Sequence, residues 1–117
     1  MTDRELLELA AKAMGRGDLV WCSALNGMVR NSRPDKQLHL DDVASHWNPL
    51  TNDGDALRLA VKLRLDLCRP TKMHDGVCVW VDHLGDFIEE PLGSDHYAAT
   101  RRAIVRAAAE IGKGMKS

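Results

Sequence analysis

Residues 77 to 82 constrain the fold most strongly, because Val77, Val79 and Val81 alternate there with Cys78, Trp80 and Asp82. A period of two places the valines on one face of a β-strand and Trp80 on the other. A strand with apolar side chains on both faces belongs in the middle of a sheet, and such a sheet needs cover on both sides. His83-Leu84-Gly85-Asp86 can turn the chain, and residues 87 to 90 return antiparallel before Pro91 and Gly93 end the pairing.

The cover comes from three amphipathic segments. Thr2, Asp3 and Glu5 form a capping-box signature ahead of Leu6, Leu9, Ala10, Ala13 and Met14, which recur at helical spacing until Gly15 and Gly17. The spacing predicts a helix over about residues 3 to 14. Asn26-Gly27 then predicts a hairpin with strands at roughly 18 to 25 and 28 to 32, and Asn31 to Asp42 reads as an exposed loop. Thr51 to Asp55 turns and caps a second helix over about residues 53 to 65. Its apolar residues cover most of the circumference, which predicts burial on more than one side. Arg69-Pro70 breaks the regularity. The last helix starts at Ser94 or Asp95 and aligns Tyr97, Arg101, Ile104, Ala108 and Ile111 on one face. The order helix, hairpin, helix, hairpin, helix makes an α+β protein, with one antiparallel or mixed sheet of two hairpins covered by three helices.

At 117 residues the chain is the size of a single domain, 1–117, able to hide about two-thirds of its unfolded surface. Its 16 Lys and Arg against 17 Asp and Glu, net charge -1, supply no global positive field, so non-specific nucleic-acid binding is not expected. No apolar run approaches the ~18 residues of a membrane span, and residues 1 to 9 mix charges with leucines, unlike a signal peptide. The expectation is a chain that stays in the cytoplasm without a membrane partner. Cys22, Cys68 and Cys78 are odd in number and widely spaced, and they read as reduced core thiols.

The candidate sites each have a plain structural counterpart. Trp47-Asn48-Pro49-Leu50 could offer an aromatic ring and an amide to a ligand at the mouth of the second helix, or Trp47 could plug the core. Asp53 and Asp55 complement the helix dipole and argue against an anion on that N-terminus. Arg58, Lys62, Arg101, Arg102 and Arg106 form the densest basic surface on the helices, suited to phosphate or carboxylate, or else simply solvated and paired. Arg101 interrupts an apolar line and must find a partner if buried.

His74, Asp75, Asp82 and His83 flank one strand, whose ends lie ~30 Å apart, and His39, Asp41, Asp42 and His46 fall in the long loop. Neither set has metal spacing, so no metal and no cofactor is expected. Ser45 and Ser94 lie near histidines without a nucleophile elbow, and Gly15, Gly17 and Gly27 are too spread for a phosphate loop. No residue is assigned a catalytic role.

Two longer segments carry a family likeness: Trp47-Asn48-Pro49-Leu50 with residues 53 to 63, and Ala99 to Ile111, preceded by Glu5-Leu6-Leu7-Glu8-Leu9-Ala10. Together they resemble small bacteriophage and prophage proteins of unknown function described as the phage ABA sandwich domain. The resemblance implies an α/β/α sandwich and an accessory role in phage biology, and it transfers no catalytic residue. Residues 18 to 45 and 66 to 93 depart from it. The functional expectation is an accessory protein in the host bacterial cytoplasm that inhibits an anti-phage defence system by binding a host protein, through the loop from Arg33 to His46 and any exposed tryptophan. One alternative is a sponge for an anionic nucleotide, converging Arg58, Lys62, Arg101 or Arg102 with Trp47 or Tyr97 and formed across a homodimer. Another is a small nucleotide or nucleic-acid hydrolase using His74 with Asp75. A structural or regulatory phage protein would instead assemble with itself.

Overall fold

The computed structural model describes residues 1–30, 46–68, 76–82 and 84–115. The expected loop at 31 to 42, Ser45, the break at Arg69-Pro70 and the candidates His39, Asp41, Asp42, His74, Asp75 and His83 lie outside the described residues.

Helix α1 spans Asp3–Ala13 and carries the full capping box: Thr2 Oγ1 accepts from the Glu5 amide at 3.2 Å while Glu5 Oε2 accepts from the Thr2 amide at 3.4 Å. It ends where Gly15 takes a φ of 78°, the left-handed conformation favoured just past a helix end. Strands β1 (Leu19–Cys22) and β2 (Gly27–Arg30) pair antiparallel from Leu19↔Arg30 to Cys22↔Gly27. The predicted hairpin is present, but residues 23 to 26 connect its strands in place of the two-residue turn Asn26-Gly27, and β1 ends at Cys22 rather than near residue 25. Asn26 takes the positive φ of 50°, while Gly27 already belongs to β2, where a Cβ would require the His46 imidazole to move aside. Trp47 adds a single antiparallel bridge to Met28 on β2.

Helix α2 spans Asp53–Lys62, shorter than the sequence predicts. Leu63 caps it, Arg64 turns left-handed at φ 55°, and Leu65–Cys68 becomes strand β3, a strand that the leucine periodicity concealed. β3 pairs antiparallel with β4 (Gly76–Val81), and β4 pairs with β5 (Asp86–Pro91). Val77, Val79 and Val81 are buried and β4 is the central strand, both as expected. Helix α3 (His96–Gly114) starts at Asp95, whose carboxylate accepts from the amides of Tyr97 and Ala98.

The class is α+β, with three helices and two antiparallel sheets among the described residues. The strands divide into sheets β1-β2 and β3-β4-β5 rather than forming one. α3 is the hub, buried at Ala99, Ala103, Ile104, Val105, Ala107, Ala108, Ala109, Ile111 and Gly112. It packs on α1, α2 and the inner side of β4-β5. Asp3 reaches Arg102 and Lys12 reaches the Met115 carbonyl, so α1 and α3 run in the same direction. Alanines on both helices bring the backbones so close that Gly112 leaves no space for a Cβ beside the Leu9 carbonyl.

Two sequence expectations change. α2 is buried on one side only, along Ala56, Leu59 and Ala60, while Leu57 and Val61 stand in solvent, because α3 and β3 meet only that side. Among the described residues the three-stranded sheet is covered on its valine face alone, and its opposite face carries Trp80 half-buried and Phe87 exposed.

Candidate functional site

The segment ahead of α2 is a closed polar junction. Asn48, 5% exposed, uses its whole side chain internally: Nδ2 donates to the Asn26 carbonyl at 2.9 Å and Oδ1 accepts from the Leu50 amide at 3.0 Å. Its backbone amide donates to Asp55 Oδ2 at 3.0 Å, and Asp55 Oδ1 accepts from Arg58 at 2.7 Å. Asn52 caps α2 by accepting from the Asp55 amide. Trp47 is buried in the core beside Met28. The residues expected to greet a ligand here tie the β1-β2 hairpin to the start of α2.

Arg101 supplies the third tie, and a carboxylate of the same chain is the partner its apolar position demands. Its Nε donates to the Leu50 carbonyl at 2.8 Å and its Nη1 to Asp53 Oδ1 at 2.7 Å. One turn along, Arg102 pairs with Asp3 of α1 and Glu90 of β5, and Arg106 pairs with Glu90 and donates to the Glu89 carbonyl. Glu90 therefore holds two guanidinium groups and joins β5 to α3. Lys62 and Tyr97 are exposed, Tyr97 at the first turn of α3 rather than on its buried face. Thus Arg58 and Arg101 converge on the start of α2, and Arg102 lies on the β5 side of α3, so the structure does not bring them together with Lys62 and Tyr97 among the described residues.

A cleft of about 500 Å³ opens between the start of α1, β5 and α3, bordered by Arg102, Arg106 and Lys113 but also by Glu90 and Glu110. Its cations are largely neutralised by neighbouring carboxylates. Among the described residues no three His, Cys, Asp or Glu side chains come together to hold a metal ion, and no helix is long and apolar enough to cross a membrane.

The outer face of β3-β4-β5 differs in character. The register sets Asp66, Trp80 and Phe87 in one row across the sheet and Cys68, Cys78 and Glu89 in the next. The Trp80 and Phe87 rings meet edge to face at 4.7 Å, and the indole N–H donates to Asp82 Oδ1 at 2.6 Å. Burial, the facing Cys68 thiol and Glu89 push the Cys78 thiol above its ordinary pKa. Sequence reasoning places Trp80 on this side but assumes a covering layer. The acidic residues that alternate with its apolar ones were the available signal that the face is wet.

Fold and surfaces define a small α+β protein whose basic side chains mainly join its own elements and whose aromatic ones partly face solvent. Compared with protein-family models, with curated proteins and with solved structures, the chain matches none.

Proposed function

We propose that the chain is an accessory binding protein that acts by contact with another protein. The observation that supports this reading is the division of its side chains. Arg58, Arg101, Arg102 and Arg106 are each engaged by carboxylates or carbonyls of the chain itself, whereas Phe87 is 49% exposed beside the half-buried Trp80. Exposed aromatic side chains on a rigid sheet suit macromolecular contact. The finer proposal rests on the likeness to small phage and prophage proteins: the partner is a bacterial host protein in the cytoplasm, and binding inhibits an anti-phage defence system.

A sponge for an anionic nucleotide would use the cleft beside Arg102 and Arg106, and its ligand would first have to release both from Glu90. Native mass spectrometry of affinity-tagged protein, recovered gently from host cells carrying an active defence system, separates the readings. A stoichiometric protein partner supports the proposal. A retained mass of a few hundred daltons, lost in Arg106→Ala, refutes it in favour of the sponge, and a bare homo-oligomer refutes both.

A further inference from the structure

We infer that the outer face of β3-β4-β5 is a docking surface for a basic segment of a partner protein, one presenting arginine or lysine beside aliphatic side chains. The inference rests on the protein-binding reading and adds the surface and the chemistry of the partner.

Three features of this face combine. The Trp80–Phe87 pair forms an apolar platform whose indole is held in place by its hydrogen bond to Asp82. Asp66 and Glu89 flank that platform on the two neighbouring strands, both exposed. No ion pair engages Asp66, Asp82 or Glu89 among the described residues, although Glu90, next in sequence but on the opposite face, takes two arginines. Carboxylates around an exposed aromatic pair complement a guanidinium, which can stack on the indole while donating to the acids. The same charge repels phosphate, so the face suits a protein and disfavours nucleic acid. Arg106 already donates to the Glu89 carbonyl, so the partner lies across the face rather than extending the sheet from β5.

The test uses two fluorescein-labelled peptides of equal length, one alternating arginine with leucine and one alternating glutamate with leucine, titrated by anisotropy against the full chain. The arginine peptide should bind and the glutamate peptide should not. Asp66→Lys with Glu89→Lys should weaken the arginine peptide by roughly tenfold or more and confer binding of the glutamate peptide, a swap that a misfolded variant could not produce. Trp80→Ala should weaken the arginine peptide as well. Bound arginine peptide should slow alkylation of Cys68, on this face, and leave Cys22, in the separate β1-β2 sheet, unchanged. Equal binding of the two peptides, or binding insensitive to the charge reversal, overturns the inference.

Capture from host cells tests the surface and the broader reading separately. A partner recovered equally by wild type and by the charge-reversed variant overturns the surface assignment and leaves the binding-protein reading intact. Recovery of no protein partner overturns that reading and this inference with it.

Discussion

Replacing Gly112 by alanine sets two effects of opposite sign against each other. Intrinsic helix propensity favours alanine over glycine inside α3 by about 1 kcal/mol. The parallel packing of α1 against α3 opposes it. A Cβ on residue 112 would lie 2.9 Å from the carbonyl carbon of Leu9 and closer still to its oxygen, and both atoms are backbone that cannot rotate aside. Carbon atoms in ordinary contact sit about 3.5–4.0 Å apart, so the helices must separate by at least roughly 0.6 Å. A gap of that size forfeits about a quarter of the dispersion attraction along the seam, which is built from Ala10, Ala11 and the alanines of α3. Overpacking of this kind costs about 1–3 kcal/mol, and a clash with rigid backbone belongs at the upper end. The expected net change for Gly112→Ala is a loss of about 2 kcal/mol, or roughly 6–10 °C in Tm for a chain of this size. Gly114→Ala is the control: nothing lies within 4 Å of its Cβ position, and it should change stability by no more than about 0.5 kcal/mol. Urea and thermal unfolding followed by circular dichroism would measure both. A Gly112→Ala protein as stable as wild type would refute the close approach of α1 and α3.

Asn48→Ala removes two side-chain hydrogen bonds and strands the Asn26 carbonyl and the Leu50 amide, so urea unfolding should show a loss of about 2–3 kcal/mol. Arg101→Met should cost about 1.5–3 kcal/mol by removing both the charged bond to the Leu50 carbonyl and the pair with Asp53, whereas Asp53→Ala, which leaves the Leu50 bond in place and removes a carboxylate that is itself 72% exposed, should cost less, about 1 kcal/mol; equal losses would contradict the assignment. The raised Cys78 thiol makes stability depend on alkaline pH. Because the unfolded thiol ionises first, the stability is full below the ordinary thiol pKa of about 8.5 and falls as pH rises through that value toward the folded one. The urea midpoint should decline over this range in wild type and decline less in Cys78→Ala, and parallel slopes would rule out Cys78 as the source of the decline.

Local chemistry was readable from the sequence. The capping box of Thr2 and Glu5, the left-handed turn at Asn26, the buried valine alternation of β4 and the cap at Asp95 depend on neighbours a few residues away, so they carry recognisable spacing. The demand that Arg101 find a partner was equally legible, because a guanidinium on an apolar helix line cannot stay unpaired. β3 was hidden because Leu63, Leu65 and Leu67 extend the leucine pattern of α2, and a short apolar run fits a helix end or a strand equally well.

The basic surface and the outer sheet face were decided by tertiary structure alone. Sequence shows which helix positions carry arginine but not that Asp53, Asp3 and Glu90 arrive from three other elements to engage them. It shows Trp80 opposite the valines but not that the helices of the described residues gather on the valine face, leaving Trp80 and Phe87 partly in water. Spacing along the chain encodes periodicity and caps, which are local. Which apolar face receives cover, and which charge meets a partner, depends on contacts between residues distant in the chain, 99 positions apart for Asp3 and Arg102, and these exist only once α1, β5 and α3 have packed.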